Sequence, residues 1–383
     1  MQPLMTIVGF ACLGSAAGYA VLTVIAVLVW RTRSASVDSH PLPAVTMLKP
    51  LCGAEPGLYE HLRSFCRQDY PEFQIVFGVR DADDPACAAV KRLTAEFPSV
   101  PIDLVINPQV HGSNLKISNL INMLPYARHD VLAMADSDAF VGTDYLRNVT
   151  APLRDDGVGL VTCLYRGTPT PGIWSRLGAM YINEWYLPSV LVAWFFGHQG
   201  YVSGQTVCLR RDTLQAIGGL RTLANHLADD HRLGELVRAL GKRIVLSRYV
   251  VKGEHHEPSS GSLIRHELRW LRTIRVLQPG GFRFMFITFS VPLAALGIAA
   301  AAPGSLHSAA AWTLFGVTVL ARLMLHFVHR LRDDPAPVSD LWLLPVRDLL
   351  MCWVWSRSFF TSHVTWRGSK FAIDADGVMH PLS

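Results

Sequence analysis

Val131-Leu132-Ala133-Met134-Ala135-Asp136-Ser137-Asp138 is the stretch from which the rest of the chain is read. Its five consecutive apolar residues are too few for a helix, and they predict a strand covered on both faces. The acids that follow stand just past the strand's carboxyl end. Working back toward the N-terminus, the same kind of run recurs at Ala44-Val45-Thr46-Met47-Leu48-Lys49-Pro50, at Gln74-Ile75-Val76-Phe77-Gly78-Val79 and at residues 102–106. Helix-like segments at 57–67, 84–97 and 116–127 separate these strands, with Asp84 as a cap and Pro85 in the first turn of the second segment. Strands alternating with helices predict an α/β domain built on a mostly parallel sheet with helices on both faces.

In such sheets ligands bind beyond the carboxyl ends of the strands. That rule selects Lys49-Pro50, Arg80-Asp81, Asn107 and Asp136-Ser137-Asp138. Two carboxylates one residue apart, Asp136 and Asp138, can share a divalent ion, and hard oxygen ligands suit Mg²⁺ or Mn²⁺. The alternative is an acid-rich turn with caps. In Arg80-Asp81-Ala82-Asp83-Asp84-Pro85, Asp83 or Asp84 can cap the following helix, which leaves Asp81 as the better ligand candidate. Gly112-Ser113-Asn114-Leu115-Lys116 opens a helix with backbone N–H groups and a lysine suited to a phosphate, or it is a solvated helix start. Asp229-Asp230 begins an amphipathic segment. One acid there can cap, and one near a donor can deprotonate an acceptor hydroxyl.

Arg265, Arg269, Arg272 and Arg275 recur at helical spacing and share one face. They make either a basic helix lying on a membrane or a site in which Arg269 holds a diphosphate and Trp270 lines an acceptor opening. His255-His256-Glu257 is a weaker candidate for an additional metal ligand.

The apolar residues, 50% of 383, gather at the two ends, while the middle has the composition of one globular domain. Residues 1–30 carry no charge and are long enough to span a bilayer. Met1-Gln2-Pro3-Leu4 lacks the basic start of a signal peptide, and Arg31 and Arg33 mark a cytoplasmic flank. Residues 284–321, broken at Pro303-Gly304, predict a helical hairpin with a basic flank at His329-Arg330-Leu331-Arg332. Residues 341–364 contain Arg347, Asp348 and Arg357, which favours an interfacial or re-entrant helix before the basic tail Trp366-Arg367-Gly368-Ser369-Lys370. Gly/Ala-rich packing between the helices is expected, with no ion path. The net charge of +5 lies largely beside the apolar segments, and no nucleic-acid partner is expected. Five cysteines outside the apolar stretches, Cys52, Cys66, Cys87, Cys163 and Cys208, have no metal spacing and are read as reduced core thiols.

The order Asp81, Asp136-Ser137-Asp138, Asp229-Asp230, Arg269-Trp270, together with Met47-Leu48-Lys49-Pro50-Leu51-Cys52-Gly53 and Gln68-Asp69-Tyr70-Pro71, resembles the ceramide glucosyltransferase family, glycosyltransferase family 21. The resemblance covers about residues 45–281, and the flanking membrane segments match too. It implies a GT-A nucleotide-sugar-binding domain plus N-terminal and C-terminal transmembrane helices. It divides the chain into an anchor at 1–32, a cytoplasmic domain at 40–282 with a basic interfacial helix at 262–278, a hairpin at 283–332, and an interfacial helix and tail at 340–383.

By resemblance, Asp81 holds the uridine, Asp136 and Asp138 meet the diphosphate through a metal, and Asp230 is the base. Lys49, Lys116, Arg269 and Trp270 complete the nucleotide-sugar contacts. His266 stands where the family's QxxRW motif has glutamine, so no role carries over to it. The apolar insert at 173–196 is read as an acceptor lid or as a buried helix. The activity implied is inverting transfer of a hexose, glucose or N-acetylglucosamine, from a UDP-sugar to a lipid hydroxyl at a bacterial inner membrane. Ceramide is the family's namesake acceptor. Residues 260–281 are more similar to relatives associated with hopanoid biosynthesis. A processive polysaccharide synthase, a polyprenyl-phosphate sugar transferase and a non-catalytic scaffold are the rival classes.

Overall fold

The computed structural model describes residues 2–33, 41–198, 200–301, 306–328, 338–361, 363–366 and 369–382. The expected turn at Pro303-Gly304, the basic run His329-Arg330-Leu331-Arg332 and Arg367-Gly368 of the tail lie outside the described residues.

The chain divides into two compact units that interleave in sequence. One comprises Met1–Ser34, Pro171–Gly197 and Glu257–Thr365, and the other Ala35–Thr170, His198–His256 and Trp366–Ser383. The domain expected over 40–282 is therefore not continuous. The insert and the basic helix pack with the apolar helices: Trp194 meets Trp30 edge-on at 4.9 Å, and Leu177, Met180 and Leu263 share a core with Leu343 and Leu344.

The second unit is built on an eight-stranded sheet. Its strands are β1 (Val45–Pro50), β2 (Phe73–Val79), β3 (Ile102–Ile106), β4 (Val131–Met134), β5 (Ala139–Phe140), β6 (Val158–Pro169), β7 (Val207–Arg210) and β8 (Arg243–His255), in the order β3-β2-β1-β4-β7-β6-β8-β5. The four strands read from the sequence form its parallel half, with Met47 in register with Ile75 on one side and Ala133 on the other. Successive side chains point to opposite faces. Val45, Met47, Ile75 and Phe77 join one core with Leu62 and Val90, whereas Leu48, Val76, Leu132 and Met134 join a second with Ile117 and Leu120. Because both faces are covered, these strands read as unbroken apolar runs. β7 runs antiparallel to β4 and β6, so the other half of the sheet is mixed. Cys66, Cys87, Cys163 and Cys208 are buried, but Cys52, also expected in the core, is exposed in the loop after β1.

The first unit is helical. Pro3–Thr32 and Ser308–Val328, 30 and 21 residues long, are apolar and long enough to cross a bilayer. The first arm of the expected hairpin is broken instead: Pro279–Thr288 and Ser290–Ala300 meet at 69°. Pro292, in the first turn of the second piece, has no N–H to continue a helix from the preceding segment. Leu343–Ser358, at 16 residues, is shorter than a span requires, and its Arg347 is buried in an ion pair with Glu267.

The expected small-residue packing is found where Gly9 meets Gly297. A Cβ on Gly297 would lie 2.8 Å from the Gly9 carbonyl and 2.7 Å from Leu13. Gly297→Leu is expected to cost about 1–3 kcal/mol, read as a lower thermal midpoint in detergent. Gly316→Leu, where nothing lies within 4 Å, is the control. Equal midpoints for the two variants would contradict the close helix approach.

Candidate active site

β4 ends at Met134, and the chain leaves the sheet through Asp136-Ser137-Asp138. Antiparallel pairing of β7 on β4, with Met134 opposite Val207, brings the turn before β7 alongside this loop. Gln205 Nε2 donates to Asp138 Oδ1 at 3.0 Å, and the Gly204 N–H donates to Asp230 Oδ2 at 3.0 Å. A Cβ on Gly204 would stand 3.0 Å from Lys116 Nζ, 3.3 Å from Asp136 Oδ2 and 3.8 Å from Asp230 Oδ2. Gly204 therefore lies among the charged groups, where any side chain would intrude.

Lys116 enters from the first turn of the helix Leu115–Met123. Its Nζ is 2.6 Å from Asp136 Oδ1 and 3.7 Å from Asp229 Oδ2. Asn114 caps this helix through Oδ1, while its Nδ2 donates to the His226 carbonyl at 2.9 Å and to Asp229 at 3.2 Å. The polar opening of the helix is thus tied to the acidic pair.

Asp229 and Asp230 start the helix Asp229–Ala239, where the dipole favours acids. Their loop is held from below by the C-terminal tail, which forms a hairpin of Ser369–Ile373 and Met379–Pro381. The Met379 N–H donates to the Asn225 carbonyl at 2.8 Å, and the Leu227 N–H to Gly377 at 3.1 Å. This part of the tail, expected only as a basic membrane flank, buttresses the loop that carries the acids.

Lys49 was expected to contact the nucleotide sugar. It is fully buried, with Nζ 3.6 Å from the Phe65 ring centroid and donating to the Asp136 carbonyl at 2.6 Å. It supports the loop from inside the core. Asp81 stands exposed past β2 and accepts the Asp83 N–H at 3.0 Å, leaving its second oxygen to solvent. Asp84 is the capping acid, bonded to the N–H groups of Ala86 and Gly53.

Burial, followed by repulsion from Asp136, pushes the Asp138 carboxyl up to about 7. Burial, followed by Asp229, pushes Asp230 up to about 6, with Lys116 and the Gly204 and His231 N–H groups opposing the shift. Burial lowers Lys49 to about 7 against the pull of Asp138 and Asp136. Burial also works against the Lys116 ammonium, but Asp136, Asp229 and Asp230 outweigh it and hold its pKa above the ordinary lysine value.

Among the described residues no group of three or more His, Cys, Asp or Glu side chains could hold a metal by itself. Mg²⁺ and Mn²⁺ do not need one when substrate phosphates complete the shell. Asp138, a carboxyl that burial and Asp136 make reluctant to ionise, fits a cation, with Asp136 beside it. His255 and His256 fit no such site. The His255 carbonyl and His256 Nδ1 both meet the Thr170 hydroxyl.

A family model described as glycosyl transferase family 21 matches residues 10–379. The chain belongs to glycosyl transferase family 21. Ceramide glucosyltransferase 3 of Caenorhabditis elegans is 22% identical over 363 residues, covering 90% of this chain and 76% of that protein. Ceramide glucosyltransferase of Candida albicans is 30% identical over 125 residues, 30% of this chain and 23% of its own. A mannosyltransferase from Pyrobaculum calidifontis, solved with GDP-Man and Mn²⁺, matches with a TM-score of 0.52 at 19% identity over 86% of this chain and 100% of that one. The fold is the GT-A fold, and this member of family 21 is a nucleotide-sugar glycosyltransferase. Its two long apolar helices fit a membrane-associated enzyme.

The family's Arg269-Trp270 pair belongs to the helical unit, on the helix Ser260–Leu277. Trp270 stacks on Tyr181 at 5.3 Å and packs against His266 at 4.1 Å, and His266 in turn bonds Glu257 at 2.8 Å. The position that departs from the family pattern thus anchors the motif helix. Arg272 and Arg275, expected on a membrane-facing stripe, donate to carbonyls at His363 and at Ser358 and Thr361. They hold the C-terminal end of the helix Leu343–Ser358. The insert forms helices Ile173–Tyr181 and Leu187–Phe195 joined by a π turn, Ile182–Tyr186, mostly buried in this unit. Gly204 and Gln205 were missed in the sequence; their only local signal is the polar turn Ser203-Gly204-Gln205 before a strand.

Proposed function

We propose that the chain is an inverting, UDP-sugar-dependent lipid glycosyltransferase that moves glucose or N-acetylglucosamine to a hydroxyl of a neutral membrane lipid, with its sheet unit on the cytoplasmic side of a bacterial inner membrane. The observation that carries this reading is the cluster of Asp136, Asp138, Lys116 and Asp230 at the carboxyl end of β4, in a family 21 chain that also has two long apolar helices. Relatives named as ceramide glucosyltransferases make ceramide the first acceptor to test, and a hopanoid alcohol is the second.

In this reading Asp230 takes the proton of the acceptor hydroxyl as its oxygen attacks the anomeric carbon. The bond to UDP breaks on the opposite face, so an α-linked donor gives a β-linked product. Gly204 and His231 hold the Asp230 carboxylate through their N–H groups, which fixes the direction in which it accepts the proton. Lys116 pairs with the Asp136 side chain, and Lys49 holds the Asp136 backbone in place. Asp81 bonds the nucleoside, and Arg269 and Trp270 act on the diphosphate and the acceptor. Mg²⁺ or Mn²⁺, held by Asp138 and Asp136, would supply positive charge to the departing diphosphate.

The deciding test offers the purified protein UDP-glucose and UDP-N-acetylglucosamine with ceramide or bacteriohopanetetrol and reads the lipid products by mass spectrometry and anomeric NMR. A β-linked hexose on a lipid hydroxyl is expected. An α-linkage would exclude single displacement, long polymers would point to a synthase, and an acid-labile sugar phosphate would point to a polyprenyl-phosphate acceptor.

Chelation is expected to lower the rate about 10²-fold or more, with recovery on adding Mg²⁺ or Mn²⁺. An enzyme indifferent to EDTA would assign the leaving-group charge to Lys116 and the arginines instead.

A further inference from the structure

Within the helical unit lies a narrow, partly open cavity with about 30 Å³ of space that a water-sized sphere can reach. Its walls come from five segments: Tyr19 and Thr23 of the first helix, Glu184 and Trp185 of the π turn, Thr288 at the break of the bent helix pair, Arg322, and Asp348. The π turn is set by the Leu187 N–H bonding back to Ile182, and Pro188 has no N–H with which to restore the α pattern. That turn places Glu184 and Trp185 on the cavity.

The depth of the cavity is informative. Arg322 lies six residues before Val328 and Thr23 nine before Thr32, about 9 and 14 Å below the ends of two helices long enough to span. A lipid's polar head meets its chains at about such a level, and Tyr and Trp are favoured there. Tyr19 bonds Ser189 at 2.9 Å and Trp185 bonds Thr288 at 2.8 Å, so the wall offers hydroxyl and indole groups beside apolar Leu325 and Met351.

The charges on the wall are few and committed. Arg322 donates to Glu184 at 2.7 Å and to both oxygens of Asp348 at 3.0 and 3.2 Å. Arg347 is paired bidentately with Glu267. Among the described residues the wall thus holds two guanidiniums and two carboxylates, with Glu267 bonded to Arg347 and His326 bonded to Glu184 at 2.7 Å behind them. Among the described residues, a phosphate entering here would find both guanidiniums already paired with carboxylates and would face Glu184 and Asp348. A hydroxyl would find carboxylate oxygens that accept hydrogen bonds.

We propose that this cavity seats the head of the acceptor lipid and selects a neutral, hydroxyl-bearing head over a phosphate head. The inference rests on the lipid-acceptor reading above and adds the place where the acceptor is held and the reason phospholipids do not occupy it.

The test uses the full chain in nanodiscs with a ceramide that carries a diazirine in its acyl chain, and peptide mass spectrometry locates the cross-link. Label is expected within residues 19–23 and 180–188, suppressed by excess ceramide and not by undecaprenyl phosphate. Ala20, 3% exposed and on the cavity wall, is replaced by Phe to fill the space, with Thr23→Leu as a milder filling variant. Val21→Phe, on the outward side of the same helix, is the control. Filling is expected to cut the labelling about tenfold and raise the lipid KM about tenfold with the donor KM unchanged. Label confined to outward residues such as Trp312 and Leu320, or equal competition by undecaprenyl phosphate, overturns the proposal. An enzyme that glycosylates ceramide with the same lipid KM in both filling variants overturns the cavity while the function stands. Cavity labelling by a protein that glycosylates no lipid alcohol leaves the lipid-head site and removes the function.

Discussion

Asp230→Asn is expected to lower kcat by about 10²–10⁴-fold while binding of UDP is retained, the range typical of losing a general base. The substitution keeps the shape but removes the basic oxygen, and its single amide oxygen can accept only one of the two N–H bonds that Gly204 and His231 give to the two carboxylate oxygens. Titration calorimetry with UDP and single-turnover rates separate the two effects. The wild-type rate carries a further signature. A base must be deprotonated to act, and burial together with the adjacent Asp229 raises Asp230 to about 6, with Lys116 pulling the other way. The rate is therefore expected to be flat above about pH 7 and to fall about tenfold per unit below 6. Asp230→Asn should lose this acid limb. A variant with near-normal turnover would transfer the role to Asp229, whereas a limb that persists near pH 7 with low turnover would belong to Asp138.

Arg322→Leu is expected to destabilise the helical unit by about 3–5 kcal/mol, the usual result of removing one partner from a buried ion pair. Arg322 bonds Glu184 and Asp348, and its loss removes the guanidinium that two carboxylates among apolar helices share, one of which, Glu184, also bonds His326. Arg322→Lys should recover only part of the loss, because an ammonium cannot reproduce the planar fork that reaches both acids. Adding Glu184→Gln and Asp348→Asn to Arg322→Leu should restore much of the stability, since the buried charges go together. Unfolding in mixed micelles measures all of these. Wild-type stability for Arg322→Leu alone would mean that the two acids are hydrated or protonated and that the cluster is not a structural pair.

The parallel half of the sheet was legible residue by residue. Runs such as Val131–Met134 are apolar because helices cover both faces, and that local cause leaves a local trace. The position of Asp136 and Asp138 followed from the carboxyl-end rule for the same reason. The length of Pro3–Thr32 announced a candidate span. The membrane segments were read less well after residue 284, where Pro292 breaks what hydropathy alone joins.

By itself, then, the sequence determined the α/β class, the two long apolar helices, and the acids at the strand ends, because each depends on residues within one or two turns of the chain. The tertiary structure alone decided which groups those acids meet. Gly204 and Gln205 reach the Asp136 loop only because β7 lies beside β4. The tail supports Asp229 only because Met379 pairs back to Asn225. Glu184, Arg322 and Asp348 converge from three segments 26 to 138 residues apart in pairing. Hydrogen bonds and ion pairs act over a few ångströms of space, and a periodic reading of the chain carries no measure of which distant segments will be folded to within that reach.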